Sequence, residues 1–65
     1  MNIIINGKKQ DVSARSIADY VSNSRLDPKT LVVEHNGQVI VSDQWEEIRL
    51  REGDRLELLS FVGGG

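Results

Sequence analysis

The chain has 65 residues, enough for one small domain with a stability of only a few kcal/mol. It contains no cysteine and one histidine, which excludes disulfide bonds, thiolate metal sites and metal sites built on two histidines. Eight Lys and Arg against ten Asp and Glu give a formal net charge of −2, which argues against nucleic-acid and anionic-membrane partners.

The first predicted element is a β-hairpin. The apolar run from Met1 to Ile5 meets Asn6-Gly7, a pair preferred in type I′ turns because both residues accept a positive φ. Lys8 to Val12 is the expected return strand, with its charged side chains in water. Side chains alternate along a strand, so one set of the first strand packs on the core. The predicted inward set is Met1, Ile3 and Ile5.

One helix is predicted over about Ile17 to Ser24. Ser16 is a suitable N-cap, and Asp19, three residues later, supplies the acidic half of a capping box. The helical region ends at Asp27-Pro28, because the residue before a proline avoids the α region. The apolar stripe expected to face the core consists of Ile17, Tyr20, Val21 and Leu26.

The second half of the chain predicts a further hairpin and a final strand. The hairpin turns at Asn36-Gly37, and Ser42 to Trp45 forms a short capped turn in which Trp45 covers one edge of the core. A tight turn at Glu52-Gly53-Asp54 precedes the last strand. The predicted strands are Thr30 to His35, Gln38 to Val41 and Arg55 to Phe61.

This order of elements indicates an α+β fold, a mixed sheet of about four to five strands over one helix. By analogy with folds of this kind, we expect the first and last strands to form the central parallel pair. Residues 1–62 would make a single domain and residues 63–65 a flexible glycine tail. No apolar run is long enough to span a bilayer and no signal peptide is visible, so a cytoplasmic protein is expected.

No catalytic or metal-binding site is predicted. His35 lacks a cysteine partner and is interpreted as a strand residue beside a turn in preference to a member of a Ser-His-Asp triad. The carboxylates near residues 46–54 lie next to arginines and are interpreted as a solvated charged rim. The residues of this rim are Glu46, Glu47, Glu52, Asp54, Arg49, Arg51 and Arg55.

Three consecutive glycines, Gly63, Gly64 and Gly65, end the chain. At average glycine usage, such a triplet is expected at a given place about once in 3,000 chains. Glycine has no Cβ, so this tail is slender enough to enter a narrow channel and present its carboxylate to another protein's active site. The alternatives are an expression scar or a frayed end.

The last strand suggests a docking surface beside the tail. If Leu56 and Leu58 face the core, alternation puts Leu59 and Phe61 on the opposite face, where they form an apolar patch. A strand bulge or Trp45 could equally cover these two side chains. The sequence leaves both possibilities open.

Five segments of the chain form a recognisable set: MNIIING, HNGQVI, DQWEEI, REGDRLELL and FVGGG. Together they resemble the ThiS family of sulfur carriers in thiamine biosynthesis. A diglycine tail alone is shared with ubiquitin-like modifiers, whereas the order NGQVI, QW, EGDRLELL and VGGG is specific. The resemblance covers essentially the whole chain, including its length and the position of the tail.

The resemblance implies a β-grasp, ubiquitin-like fold and a protein co-substrate that is not itself an enzyme. A ThiF-like adenylyltransferase would use ATP and Mg²⁺ to adenylate the carboxylate of Gly65, and this chain would bind no cofactor. A sulfur-donor protein would then supply the sulfur of a thiocarboxylate, which a ThiG-like thiazole synthase would use. Gly64 belongs to the same functional tail. Channel and docking contacts are expected from Gly63, Val62 and Phe61.

Two alternative functions remain. The chain could carry sulfur in another pathway, like the small subunit of molybdopterin synthase. It could also be a ubiquitin-like modifier or interaction module. A ladder of larger protein-bound species in cell extracts would favour the modifier, and a free form cycling between carboxylate and thiocarboxylate would favour the carrier.

Overall fold

The computed structural model describes residues 1–61, in which five strands form one mixed sheet with one α-helix. The elements are β1 Asn2–Ile5, β2 Lys8–Asp11, α1 Ile17–Asn23, β3 Leu31–His35, β4 Gln38–Ile40 and β5 Arg55–Ser60. The strands lie in the order β2-β1-β5-β3-β4. Two short 3₁₀ turns are also present: Pro28–Thr30 precedes β3, and Ser42–Gln44 follows β4.

Strand β5 is the centre of the sheet. It pairs in parallel with β1, where Ile5 lies opposite Leu56, and antiparallel with β3, where Leu31 lies opposite Ser60. The prediction that the first and last strands form the parallel pair is confirmed. A parallel pair needs a long connection, and here the connection includes α1 and the β3–β4 hairpin.

Both predicted Asn-Gly turns are confirmed. Asn6 and Asn36 each have φ of 50°, and the glycines that follow have φ of 81° and 89°. Positive φ at both central positions matches the twist of the flanking strands. The N-terminal end differs from prediction, because Met1 is 39% exposed and precedes β1.

The predicted N-cap is confirmed. Ser16 is extended, and its Oγ accepts a hydrogen bond of 3.0 Å from the backbone N–H of Asp19. The Asp19 carboxylate accepts a hydrogen bond of 2.9 Å from the Arg15 N–H. In a regular capping box it would accept instead from the N–H of the N-cap residue, which here is Ser16. Ser24, predicted inside the helix, is its extended C-cap. Within residues 1–61, no helix is both long and apolar enough to cross a membrane.

The core lies between α1 and one face of the sheet. Ile17 and Val21 of the helix are buried, and Tyr20 and Leu26 are partly buried and pack at the margin of the core. Trp45 is 5% exposed and donates its Nε1–H to the Ile40 carbonyl at 3.0 Å. The predicted turn at Ser42–Gln44 is present, and its cap comes from the backbone: the Trp45 N–H donates to the Ser42 carbonyl at 3.1 Å, and no side chain caps the turn. The fully buried side chains are Ile3, Ile17, Val33 and Leu56.

Candidate functional site

The second half of β5 presents apolar side chains on the sheet face opposite the helix. Leu56 is fully buried and Leu58 packs at the core margin, whereas Leu59 is 59% and Phe61 57% exposed. This confirms the predicted alternation. Pairing of β5 with β3 is continuous over five residue pairs, and Trp45 lies in the core, so neither a bulge nor Trp45 covers them.

Strands β3 and β4 extend this apolar surface. Val32 is half-buried directly opposite Leu59, and Phe61 donates its backbone N–H to the Thr30 carbonyl at 2.7 Å. Val39 and Val41, in and just after β4, are exposed and follow the same alternation. We call this surface the outer apolar patch. Its members are Val32, Val39, Val41, Leu59 and Phe61.

The side chain of Asn6 holds β5 in place beneath this patch. Its Oδ1 accepts from the Leu58 N–H at 2.7 Å, and its Nδ2 donates to the Leu58 carbonyl at 3.3 Å. The Asn6 backbone N–H also donates to the Leu56 carbonyl at 2.9 Å. The amide therefore continues the parallel ladder beyond the end of β1. Sequence reasoning assigned Asn6 only to the turn, although an amide is the side chain that can donate and accept as a backbone does.

A second cluster ties the β3–β4 turn to the start of β5. His35 Nε2 lies 2.9 Å from Asp54 Oδ2, which also accepts from the Arg51 N–H at 2.9 Å. Asn36 Nδ2 donates to Asp54 Oδ1 at 3.2 Å, and Asn36 Oδ1 accepts from the Arg55 N–H at 2.9 Å. The Asp54 side chain is only 12% exposed. Its predicted place in a solvated rim is therefore wrong, because three neighbouring residues hydrogen-bond it.

These contacts change the acidity of Asp54. Partial burial favours the neutral carboxyl, but hydrogen bonds from His35, the Arg51 backbone and Asn36, with the charge of His35, outweigh that effect. They hold the pKa of Asp54 below its usual value. The ionised carboxylate therefore stabilises the folded state. Among residues 1–61, no three metal-ligating side chains are grouped to hold an ion.

Asp54→Asn should lower the free energy of unfolding at pH 7 by about 1–3 kcal/mol, because charge-assisted hydrogen bonds are lost. The folded pKa lies below the unfolded value of about 4, so this stabilisation is present above pH 4 and is lost as the pH falls through the folded pKa. Urea unfolding of both proteins at pH 7 and pH 3 should give a smaller difference at pH 3. Glu46→Gln, at an exposed position, is the control; a pH-independent effect of Asp54→Asn would contradict the linkage.

The structure places only part of the predicted site. Leu59 and Phe61 lie together on the exposed face, and β5 leads toward the C-terminus. The other predicted residues lie outside the described range, so their roles and the domain boundary at residue 62 remain predictions. These residues are Val62, Gly63, Gly64 and Gly65.

The chain is similar to a sulfur carrier protein and to part of a thiazole synthase. A sulfur carrier protein ThiS from Bacillus subtilis is 33% identical over 63 residues, covering 94% of this chain and 96% of that protein. A thiazole synthase from Paramagnetospirillum magneticum is 27% identical over 66 residues. That match includes 100% of this chain but only 20% of the synthase.

Two solved structures from Geobacter metallireducens have the same architecture. The crystal structure of a thiamine biosynthesis protein, ThiS, is 31% identical with a TM-score of 0.78, covering 100% of both chains. The solution structure of a thiamine biosynthesis protein is 29% identical with a TM-score of 0.81, covering 100% of this chain and 88% of the other. The predicted β-grasp fold is confirmed. Since the ThiS family model also matches residues 3–65, the chain belongs to the ThiS family.

Proposed function

We propose that this chain is a sulfur carrier of thiamine biosynthesis. The observation that carries the proposal is the match of the ThiS family model to residues 3–65, which includes the glycine tail. The relative from Bacillus subtilis, named a sulfur carrier protein, matches over 94% of the chain. In this role the protein is a co-substrate of other enzymes and not a catalyst.

The proposed chemistry takes place at the carboxylate of Gly65. A carboxylate is a poor electrophile, so a ThiF-like adenylyltransferase would join it to AMP from Mg·ATP and release pyrophosphate. Hydrosulfide would then attack the acyl carbon, the bond to AMP would break with AMP as the leaving group, and Gly65 would become a thiocarboxylate. ATP and Mg²⁺ would bind the partner enzyme, and a sulfur-donor protein would deliver the nucleophile.

A thiazole synthase is the proposed acceptor of the sulfur. In Paramagnetospirillum magneticum, a protein named thiazole synthase contains a segment similar to this whole chain. Linking a carrier to the enzyme that consumes its sulfur raises their effective concentration, which gives a physical reason for such an arrangement. We therefore propose that this chain transfers sulfur to a ThiG-like synthase.

The proposed function is tested by the intact mass of the protein after incubation with a ThiF-like enzyme, Mg·ATP and sulfide. Replacement of one oxygen by sulfur should raise the mass by about 16 Da. Omitting ATP should prevent the gain. No gain with an enzyme that is active on another carrier would contradict the proposal, and a covalent adduct with another protein would favour a ubiquitin-like modifier.

The outer apolar patch is the proposed surface on which the activating enzyme docks. Two of its members, Leu59 and Phe61, lie in and just after the end of β5, the strand that leads toward the C-terminus. Fixing the backbone of a tail in an active site costs about 1–2 kcal/mol per residue, so the enzyme needs contacts beyond the tail. Leu59 and Phe61 supply exposed apolar area for this purpose, and Val62 is proposed to extend it.

Phe61→Asp should weaken binding to the activating enzyme at least tenfold, because a buried apolar contact becomes a desolvated charge. The unfolding midpoint should change little, since Phe61 is 57% exposed. Isothermal titration calorimetry measures the affinity. Lys9→Asp, at an exposed position on the edge strand β2, serves as a control; equal affinities for Phe61→Asp and wild type would contradict docking through Phe61.

A further inference from the structure

Two glutamates face each other across the neighbouring strands β3 and β5, next to the outer apolar patch. Glu34 of β3 and Glu57 of β5 are directly paired in the antiparallel register. Directly opposed residues have Cβ atoms about 5 Å apart, and like charges at that separation destabilise a sheet. The free protein therefore bears a local repulsion at the middle of its exposed face.

Within residues 1–61, no ion pair or hydrogen bond to either carboxylate offsets this repulsion. The ion pairs of this part of the chain join Met1 to Asp11 and His35 to Asp54, so neither glutamate has a cation within 4.0 Å. Arg55, two residues before Glu57 on the same strand, forms no ion pair with it. Neither carboxylate accepts a hydrogen bond from the described residues, although Glu34 is half-buried.

The two carboxylates border a depression of about 640 Å³ in the sheet face. Val32 and Leu59, which belong to the outer apolar patch, line the same depression. Arginine and lysine have an apolar stem and a charged head, so either could lay its stem on the valine and leucine and place its head between the carboxylates. A guanidinium suits this position best, because its planar set of donors can bind two carboxylates. The depression is lined by Asn6, Val32, Glu34, Glu57, Leu58 and Leu59.

We propose that Glu34 and Glu57 form a receptor for an arginine or lysine side chain of the activating enzyme that docks on the outer apolar patch. This inference rests on the proposed function and adds the chemistry of the partner surface. A cation between the carboxylates removes their repulsion only in the complex, so the pair favours the bound state. Apolar contacts alone would allow binding to many partner surfaces. The Glu34 and Glu57 pair favours a partner that has a basic residue opposite the two carboxylates.

The test compares Glu34→Gln/Glu57→Gln with Glu46→Gln/Glu47→Gln. Both double variants remove two negative charges, but Glu46 and Glu47 are exposed residues outside the sheet. Affinity for the ThiF-like enzyme is measured by calorimetry at low and high salt. The first variant should bind at least tenfold more weakly at low salt and lose most of the salt dependence shown by wild type. Its unfolding midpoint should equal or exceed that of wild type, because the repulsion is gone.

The outcomes separate this inference from the proposed function. If both double variants bind as wild type does, or weaken equally, the receptor is overturned while the mass gain of wild type still supports the carrier. If only the Glu34 and Glu57 variant weakens but wild type gains no sulfur, the receptor stands and the sulfur-carrier role is overturned. A wild-type chain that does not bind the enzyme overturns both.

Discussion

Deletion of Gly65 should abolish the sulfur-dependent mass gain while leaving the unfolding midpoint unchanged. The truncated chain still ends in a glycine carboxylate, but that carboxylate lies about 3.5 Å short of its former position. Misplacement of a reacting group by only 1 Å can cost about 100-fold in rate, so the loss should be at least of that order. Adenylation by the ThiF-like enzyme is measured as pyrophosphate release, and stability by thermal unfolding.

A second tail variant tests whether the bulk of the tail matters as well as its length. Gly64→Trp keeps the length and the terminal carboxylate but adds a large side chain, so it should also lose activity if the tail enters a narrow channel. Wild-type rates for the truncated chain would show that the reacting group is not the Gly65 carboxylate. A large fall in the midpoint of either variant would show that the tail packs on the domain, contrary to the predicted boundary at residue 62.

Leu56→Ala should unfold a large fraction of the protein, whereas the same substitution at Leu59 should have almost no effect. Leu56 is fully buried in the central strand, and Leu→Ala at such sites costs about 2–5 kcal/mol. A domain of this size has only a few kcal/mol of stability to lose. Leu59 is 59% exposed, so truncation there should stay within about 0.5 kcal/mol.

Urea denaturation monitored by circular dichroism and Trp45 fluorescence measures both variants. The two leucines lie three residues apart in one strand, so each is the matched control of the other. Equal destabilisation would mean that β5 does not alternate between core and exposed face as described. Leu59→Ala should also weaken binding to the activating enzyme, which separates its docking role from the structural role of Leu56.

Local features of the fold could be predicted from the sequence. The Asn-Gly turns at residues 6–7 and 36–37 depend on two adjacent residues that accept a positive φ, and both form as predicted. The N-cap requires a hydroxyl three residues before the N–H group that donates to it, and the Ser16 hydroxyl makes this hydrogen bond with Asp19. Alternation along β5 also follows from the chain itself, so the place of Leu59 and Phe61 on the face opposite Leu56 could be predicted. Only the structure showed that both side chains are exposed.

By itself, therefore, the sequence determined the two Asn-Gly turns, the helix start, the inward side of the first and last strands from Ile3 onward, and the resemblance to ThiS. Only the tertiary structure decided contacts between segments far apart in the chain. The Asn6 side chain hydrogen-bonds the backbone of Leu58, 52 positions away, and the Asp54 side chain hydrogen-bonds His35 of β3, 19 positions away. The opposition of Glu34 and Glu57 likewise depends on the register of two strands. Local propensity does not specify such a register, because it is set by how the apolar faces of β3 and β5 pack together on one core.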